Sequence, residues 1–138
     1  MVVNIIVGAN GKEPVYSTSG AACCDIFAAE DVIIPARESV TVSTDLRMEI
    51  PAGFDAVIRG RSGLAFNAGI GAFEGTIDSD YRGEIKVLLL NFSDQEAFLA
   101  KGHRIAQLAF GPVFKPFFNL TSKFADSDRK GGFGSTGK

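Results

Sequence analysis

The feature that most constrains this chain is an alternation of apolar and polar residues with period two, interrupted at short intervals by glycine and proline. Val40 and Val42 alternate with Thr41 and Ser43; Leu46, Met48 and Ile50 with Arg47 and Glu49; Phe54, Ala56 and Ile58 with Asp55 and Val57. Successive side chains of an extended strand point to opposite faces, so such runs predict half-buried strands. Turn signals punctuate them at Pro51-Ala52-Gly53, Gly60, Gly69, Gly71, Gly75, Gly83, Gly102 and Gly111-Pro112. Residues 85–90 are apolar except for Lys86, as expected of a strand covered on both faces. No helical pattern exceeds about three turns. Many short strands joined by glycine and proline predict an all-β domain: a sandwich, jelly roll or barrel.

A chain of 138 residues fits one domain with a real core, and 46% hydrophobic against 22% charged residues is a globular balance. With 14 Lys and Arg against 16 Asp and Glu, the net charge of -2 argues against a whole-surface affinity for nucleic acid. The two cysteines, Cys23 and Cys24, are adjacent, and a bridge between neighbours in a strand is strained; two reduced thiols in an intracellular protein are expected. His103 is the only histidine, which removes zinc-type Cys/His clusters and leaves no nucleophilic triad unless His103 serves alone. The N-terminal run Val2-Val3-Asn4-Ile5-Ile6-Val7 is too short for a signal sequence and reads as an edge strand. No stretch approaches the roughly 18 apolar residues of a membrane span. The expectation is an intracellular protein, in cytoplasm or nucleus, with no membrane partner. Composition divides the chain into a β domain over residues 1–120 and an arm over 121–138, where Ser, Asp, Lys and Gly dominate. The arm is either a frayed terminus or a lid that orders over a ligand.

Five segments carry candidate chemistry. In Ser19-Gly20-Ala21-Ala22-Cys23-Cys24-Asp25-Ile26, Asp25 is either a turn carboxylate or a functional one. Arg59-Gly60-Arg61-Ser62-Gly63-Leu64-Ala65 ends a strand, where a guanidinium, a hydroxyl and free backbone N–H groups can meet phosphate; a basic turn before a short helix is the alternative. Gly75-Thr76-Ile77-Asp78-Ser79-Asp80-Tyr81-Arg82-Gly83-Glu84-Ile85 crowds acids and a tyrosine between two strands. Read as extended, it puts Asp78 and Asp80 on one side, and a carboxylate held in a cleft can take a proton from water. A polar hairpin facing solvent is the bland alternative. Gly102-His103-Arg104-Ile105-Ala106-Gln107-Leu108 contains an amide, Gln107, that needs partners if buried. The fifth is the tail, Lys130-Gly131-Gly132-Phe133-Gly134-Ser135-Thr136-Gly137-Lys138, with one aromatic among glycines and hydroxyls suited to phosphate oxygens.

In this order, the five segments resemble the five motifs of the trimeric dUTPase family, from about Ser19 to Gly137. The third and fifth match almost letter for letter. The resemblance implies a jelly-roll-like distorted β-barrel, a homotrimer, and three active sites each built from all three subunits, the arm of one chain closing over a neighbour's site. It implies hydrolysis of dUTP to dUMP and pyrophosphate, which keeps uracil out of DNA and supplies dUMP for dTMP synthesis. Asp78 is then the catalytic residue, activating water for attack on the α-phosphorus. Tyr81 packs under the deoxyribose, and Gly75, Thr76 and Ile77 read uracil through the backbone. Arg61, Ser62, Gly63 and Gln107 hold the triphosphate. Phe133 stacks on uracil, worth about 1–3 kcal/mol, while Arg129, Gly134, Ser135 and Thr136 grip the terminal phosphates. Mg²⁺ sits on the phosphates, with Asp25 helping through water.

The sequence departs from the family pattern at Cys23 and Cys24, at Gly60, at Glu74, at His103, and in a spacing of four residues from Arg129 to Phe133 where five is usual. A dCTP deaminase-like enzyme of the same fold is one alternative, but Leu88 stands where its acid, three residues before Asn91, is needed. A catalytically silent regulatory trimer is a second, set against the intact Asp78 and Tyr81. A generic β-sandwich binding module leaves the loop acids unexplained.

Overall fold

A computed structural model of the chain describes residues 1–128. It contains ten strands and one short helix among those residues. The strands are β1 (Asn4–Val7), β2 (Cys24–Phe27), β3 (Val32–Ile34), β4 (Ser39–Glu49), β5 (Phe54–Arg59), β6 (Ile70–Ala72), β7 (Gly75–Ile77), β8 (Glu84–Asn91), β9 (Ala97–Leu99) and β10 (Arg104–Pro112); the helix, α1 (Ser62–Ala68), follows β5. The paired strands are antiparallel throughout and form two four-stranded sheets, β1-β4-β8-β6 and β2-β10-β5-β7, with a separate β3-β9 pair. The all-β expectation holds. The jelly-roll-like form appears as two sheets sharing one core, with no closed barrel among the described residues.

The core is what the period-two pattern dictates. Val42, Leu46 and Met48 of β4 and Ile85, Val87 and Leu89 of β8 are buried, as are Ala56 and Ile58 of β5 and Ala106 and Leu108 of β10. Truncating a fully buried leucine such as Leu89 to alanine costs about 2–5 kcal/mol. Thr44 shares this inward face, and its hydroxyl donates to Ile85 O, so the polar atom is satisfied. One expectation is corrected. In β8, Leu88 and Leu90 are only half-buried, so within the chain the strand alternates like its neighbours instead of being covered on both faces.

Two irregularities bend the sheets. Between Ser43 and Arg47 the β4–β8 register shifts, and Asp45 there takes a left-handed φ of 51°. Between Arg104 and Ala106 the β10–β2 register shifts as well. An extra residue in one strand locally turns its side chains and increases twist, and both irregularities lie beside the residues of interest.

Candidate active site

At one end of the β2-β10-β5-β7 sheet the register sets Asp25, Gln107 and Arg59 in a row across three strands. The chain leaves β5 at Arg59, and Arg61 enters α1 with an extended backbone, φ -96° and ψ 128°. The Arg61 side chain folds back over the row. Its Nε donates to Asp25 Oδ1 at 3.2 Å and its Nη1 to Arg104 O at 3.0 Å. Gln107 Nε2 donates to the same Oδ1 at 3.0 Å. Ser17 Oγ, at 2.8 Å, and Arg104 Nη1, at 3.1 Å, donate to Oδ2. Asp25 is 2% exposed, and each of its oxygens accepts two hydrogen bonds. Burial pushes its carboxyl upward, but the hydrogen bonds from Gln107, Ser17 and Arg104 and the charge of Arg61 outweigh it and hold it below the ordinary aspartate value.

Ser17 and Arg104 are members of this cluster that sequence reasoning did not assign. Arg104 and Gln107 are three apart, which in a regular strand sends them to opposite faces. The register shift between Arg104 and Ala106 cancels that parity and brings both to Asp25. A bulge leaves no mark in the alternation of an apolar strand, so only the proximity of Arg104 to Gln107 in sequence hinted at it.

A cleft of about 580 Å³ opens on the other edge of the same sheet, lined by Ile58, Gly75, Thr76, Ile77, Asp78 and Tyr81, with Glu84, Ile85 and Lys86 closing it from β8. β7 is the outermost strand and pairs with β5 alone, so its second backbone edge is not used by the sheet. Ile77 is buried opposite Ala56 and anchors the strand. Beyond it the chain turns: Tyr81 N–H donates to Asp78 O at 3.1 Å. This corrects the extended reading of the segment. Because of the turn, Asp78 and Asp80 share only one of the two clefts they border. Asp78 borders both this cleft and a second one of about 420 Å³, whereas Asp80 borders the second, with Asp55 and Lys115. Tyr81 lies against the chain with its hydroxyl donating to Glu84 O at 2.9 Å.

The sequence-predicted residues therefore form two groups. Gly75, Thr76, Ile77, Asp78 and Tyr81 share the cleft at β7. Asp25, Arg61 and Gln107 share the cluster at β2 and β10, with Ser62 and Gly63 exposed in the first turn of α1 beside it. Arg129, Phe133, Gly134, Ser135 and Thr136 lie outside the described residues. No group of three or more His, Cys, Asp or Glu placed to hold a metal ion occurs among the described residues. Both cysteines are free thiols; Cys24 is buried and donates to Leu108 O at 3.7 Å, and burial pushes its thiol up. Asn91 has a structural occupation: its amide donates to Ile34 O and Gln95 O at 3.0 and 2.7 Å, and its Oδ1 accepts from Ser93. No helix among the described residues is long and apolar enough to cross a membrane.

Comparison with known proteins identifies the family and the fold. The dUTPase family model matches residues 9–137. A deoxyuridine 5'-triphosphate nucleotidohydrolase of Hydrogenobaculum sp. is 48% identical over 128 residues, covering 90% of this chain and 89% of that protein. A mutant dUTPase of Staphylococcus bacteriophage 80alpha, solved with dUpNHpp, superposes with a TM-score of 0.92 at 25% identity, over 99% of this chain and 98% of its own. The dUTPase from phage phi11 of S. aureus, whose structure concerns the coordination of a structural Mg(II) ion, gives a TM-score of 0.84 at 20% identity over 90% of this chain and 99% of its own. A match to the family model over nearly the whole length, together with close identity to a relative of similar size, places this chain in the dUTPase family.

Proposed function

We infer that the chain hydrolyses dUTP to dUMP and pyrophosphate. The observation that carries this reading is the cleft in which a carboxylate, Asp78, and an aromatic ring, Tyr81, flank the unused backbone edge of β7. An exposed strand edge offers alternating N–H and C=O groups. That spacing suits the donor and acceptor edge of uracil, and Gly75, Thr76 and Ile77 supply it. The ring of Tyr81 underlies the deoxyribose, where a 2′-hydroxyl would collide. Asp78 takes a proton from water, which attacks the α-phosphorus in line, and pyrophosphate leaves.

Phosphate binding falls to the second group. Arg61, Ser62, Gly63 and Gln107 offer a guanidinium, a hydroxyl, backbone N–H and an amide. Gly63 supports the assignment in a particular way: a Cβ built there meets nothing within 4 Å, so the chain's own packing does not ask for glycine at that place, whereas a closely approaching phosphate does. Arg129, Gly134, Ser135 and Thr136 complete the phosphate grip, and Phe133 covers the base.

The donor set fits Mg²⁺ only as a cation carried in on the triphosphate. Asp25 already accepts four hydrogen bonds, so it can hold a metal-bound water only when one donor, Arg61 or Arg104, turns away to phosphate. Bound there, the ion supplies charge neutralisation across the phosphates.

The separation of the two groups on opposite edges of one sheet supports a homotrimer in which each site draws the β7 cleft from one subunit and the Arg61 cluster from another. The run after β10 supports it too: Phe114, Phe117, Phe118, Leu120 and Phe124 are all exposed, an apolar surface that needs a partner. A nucleotide substrate and two reduced thiols support an intracellular setting.

The test is turnover with Mg²⁺ and dUTP, dCTP, dTTP or UTP, followed by chromatography of the products. Pyrophosphate and dUMP from dUTP alone are expected. Deamination of dCTP, or no turnover of any nucleotide, overturns the reading.

A further inference from the structure

Tyr81 is held by a device that none of the five motif assignments includes. Its hydroxyl donates to Glu84 O at 2.9 Å, so the ring lies back over the intervening backbone. Gly83 permits this: a Cβ there would stand 2.4 Å from the Tyr81 hydroxyl and 2.5 Å from Cζ. No non-bonded carbon sits so close, so any side chain at residue 83 displaces the ring. The acceptor residue is itself fixed. Ser43 Oγ donates to Glu84 Oε1, and Asp45 N–H donates to the same oxygen at 3.0 Å. Lys86 Nζ lies 3.8 Å from Oε2.

These donors converge only because β4 is irregular. The register passes from Ser43 opposite Lys86 to Arg47 opposite Glu84, and Asp45 takes φ 51° within the extra length. That conformation is stabilised on its far side. Gly8 N–H donates to Asp45 O at 2.8 Å, and Asn10 N–H to Asp45 Oδ2 at 3.0 Å. Hydrogen bonds thus run from the segment after β1, through the β4 irregularity, to the Glu84 carboxylate, and the backbone carbonyl of that same residue holds the Tyr81 hydroxyl.

We propose that Ser43 and Glu84 are positioning residues for Tyr81, and that the β4 irregularity thereby sets how firmly the cleft excludes a 2′-hydroxyl. The proposal rests on the reading of Tyr81 as the surface beneath the sugar. A ring fixed at its hydroxyl cannot yield to an added oxygen. When the Glu84 side chain no longer fixes the residue that carries this carbonyl, the ring can move aside and admit a ribonucleotide.

The experiment compares kcat/KM for dUTP and UTP in the full chain and in Ser43→Ala, Glu84→Ala, Tyr81→Phe and the Glu84→Ala/Tyr81→Phe double variant. The dUTP preference is expected to fall about tenfold in each single variant, and the double variant to fall no further than either parent, because both changes cut one path. An unchanged preference in Ser43→Ala and Glu84→Ala overturns the proposal, as does a double variant whose loss is the product of the two single losses. A structural role alone lowers the thermal midpoint without moving the ratio of substrates. The chain has no Trp and only two Tyr, so in a Tyr16→Phe background all tyrosine emission reports Tyr81. Easier acrylamide quenching of that emission in Glu84→Ala is expected with no nucleotide present; unchanged quenching overturns the positioning claim even if the wild type fails to hydrolyse dUTP, which would sink the functional reading separately.

Discussion

Asp25 stands directly opposite Gln107 in the β2–β10 pairing, and the Gln107 amide donates to its carboxylate at 3.0 Å. The amide proposed to hold phosphate and the acid proposed to face the metal are therefore bonded to each other across one ladder position. Removing the acid leaves four donors converging on an empty place. Asp25→Ala is expected to cost about 1–3 kcal/mol, measured by urea unfolding, because buried donors lose their acceptor. An unchanged midpoint would mean that the cluster is not coupled to the fold.

The same carboxylate makes a prediction about acid. Its folded-state value lies below the ordinary one of 3.8, through donors that outweigh the opposing effect of burial. A group depressed in this way stabilises the fold fully above its unfolded value, and that contribution is lost as pH falls through the folded one. Stability measured downward from pH 5 should therefore decline below about pH 4, and Ser17→Ala should make the decline smaller and complete at higher pH. A Ser17→Ala curve that overlays the wild type would remove Ser17 from the balance.

Asp78 is exposed at the end of β7, and no hydrogen bond of the core depends on its side chain among the described residues. Asp78→Asn should leave the thermal midpoint within the scatter of surface substitutions. It should lower pyrophosphate release about 10²–10⁴-fold, the usual worth of a positioned general base. Full activity in this variant would remove Asp78 from the chemistry.

Gly63 separates stability from function. It lies in the first turn of α1 with free space at its Cβ position. Gly63→Ala should raise stability by about 0.5–1 kcal/mol, since glycine is a poor helix residue. The same change should raise KM for dUTP by obstructing the phosphate. A variant that gains stability and keeps its KM would show that phosphate does not approach there.

Sites shared between chains can be rebuilt by mixing. Asp78→Asn and Arg61→Ala chains, each inactive alone, should regain about a quarter of wild-type activity when refolded together in equal amounts. That fraction is the chance that the two needed parts come from suitable neighbours in a ring. No recovery would place both groups of residues in the same chain's site.

Much of this was legible beforehand, and the misses have a common cause. The inward faces of β4, β5 and β10 follow directly from alternation, and Val42, Leu46, Ala56, Ile58 and Leu108 are buried where the pattern puts them. The irregularities were not legible. Asp45 carries no glycine to announce its left-handed backbone, and the shift at Arg104 is hidden in an apolar run. The turn after Asp78 defeats a reading based on parity, because a turn discards the period of two on which that reading relies. Leu88 and Leu90 look like core residues by composition, yet within the chain only one face of β8 is packed away. In each case local chemistry named the participants while long-range register decided who met whom.

On the proposed reading of uracil by β7, its outermost place governs how base recognition can drift under mutation. If the letter is read by main-chain groups of Gly75, Thr76 and Ile77, no exchange of side chain other than to proline rewrites the reader, since every other residue presents the same N–H and C=O. Selectivity can then change only when the strand itself shifts, and Ile77 against Ala56 with Gly75 against Ile58 determines whether it does. Substitutions in the sheet interior behind β7, remote from any nucleotide, are the route by which this enzyme would lose its discrimination between bases.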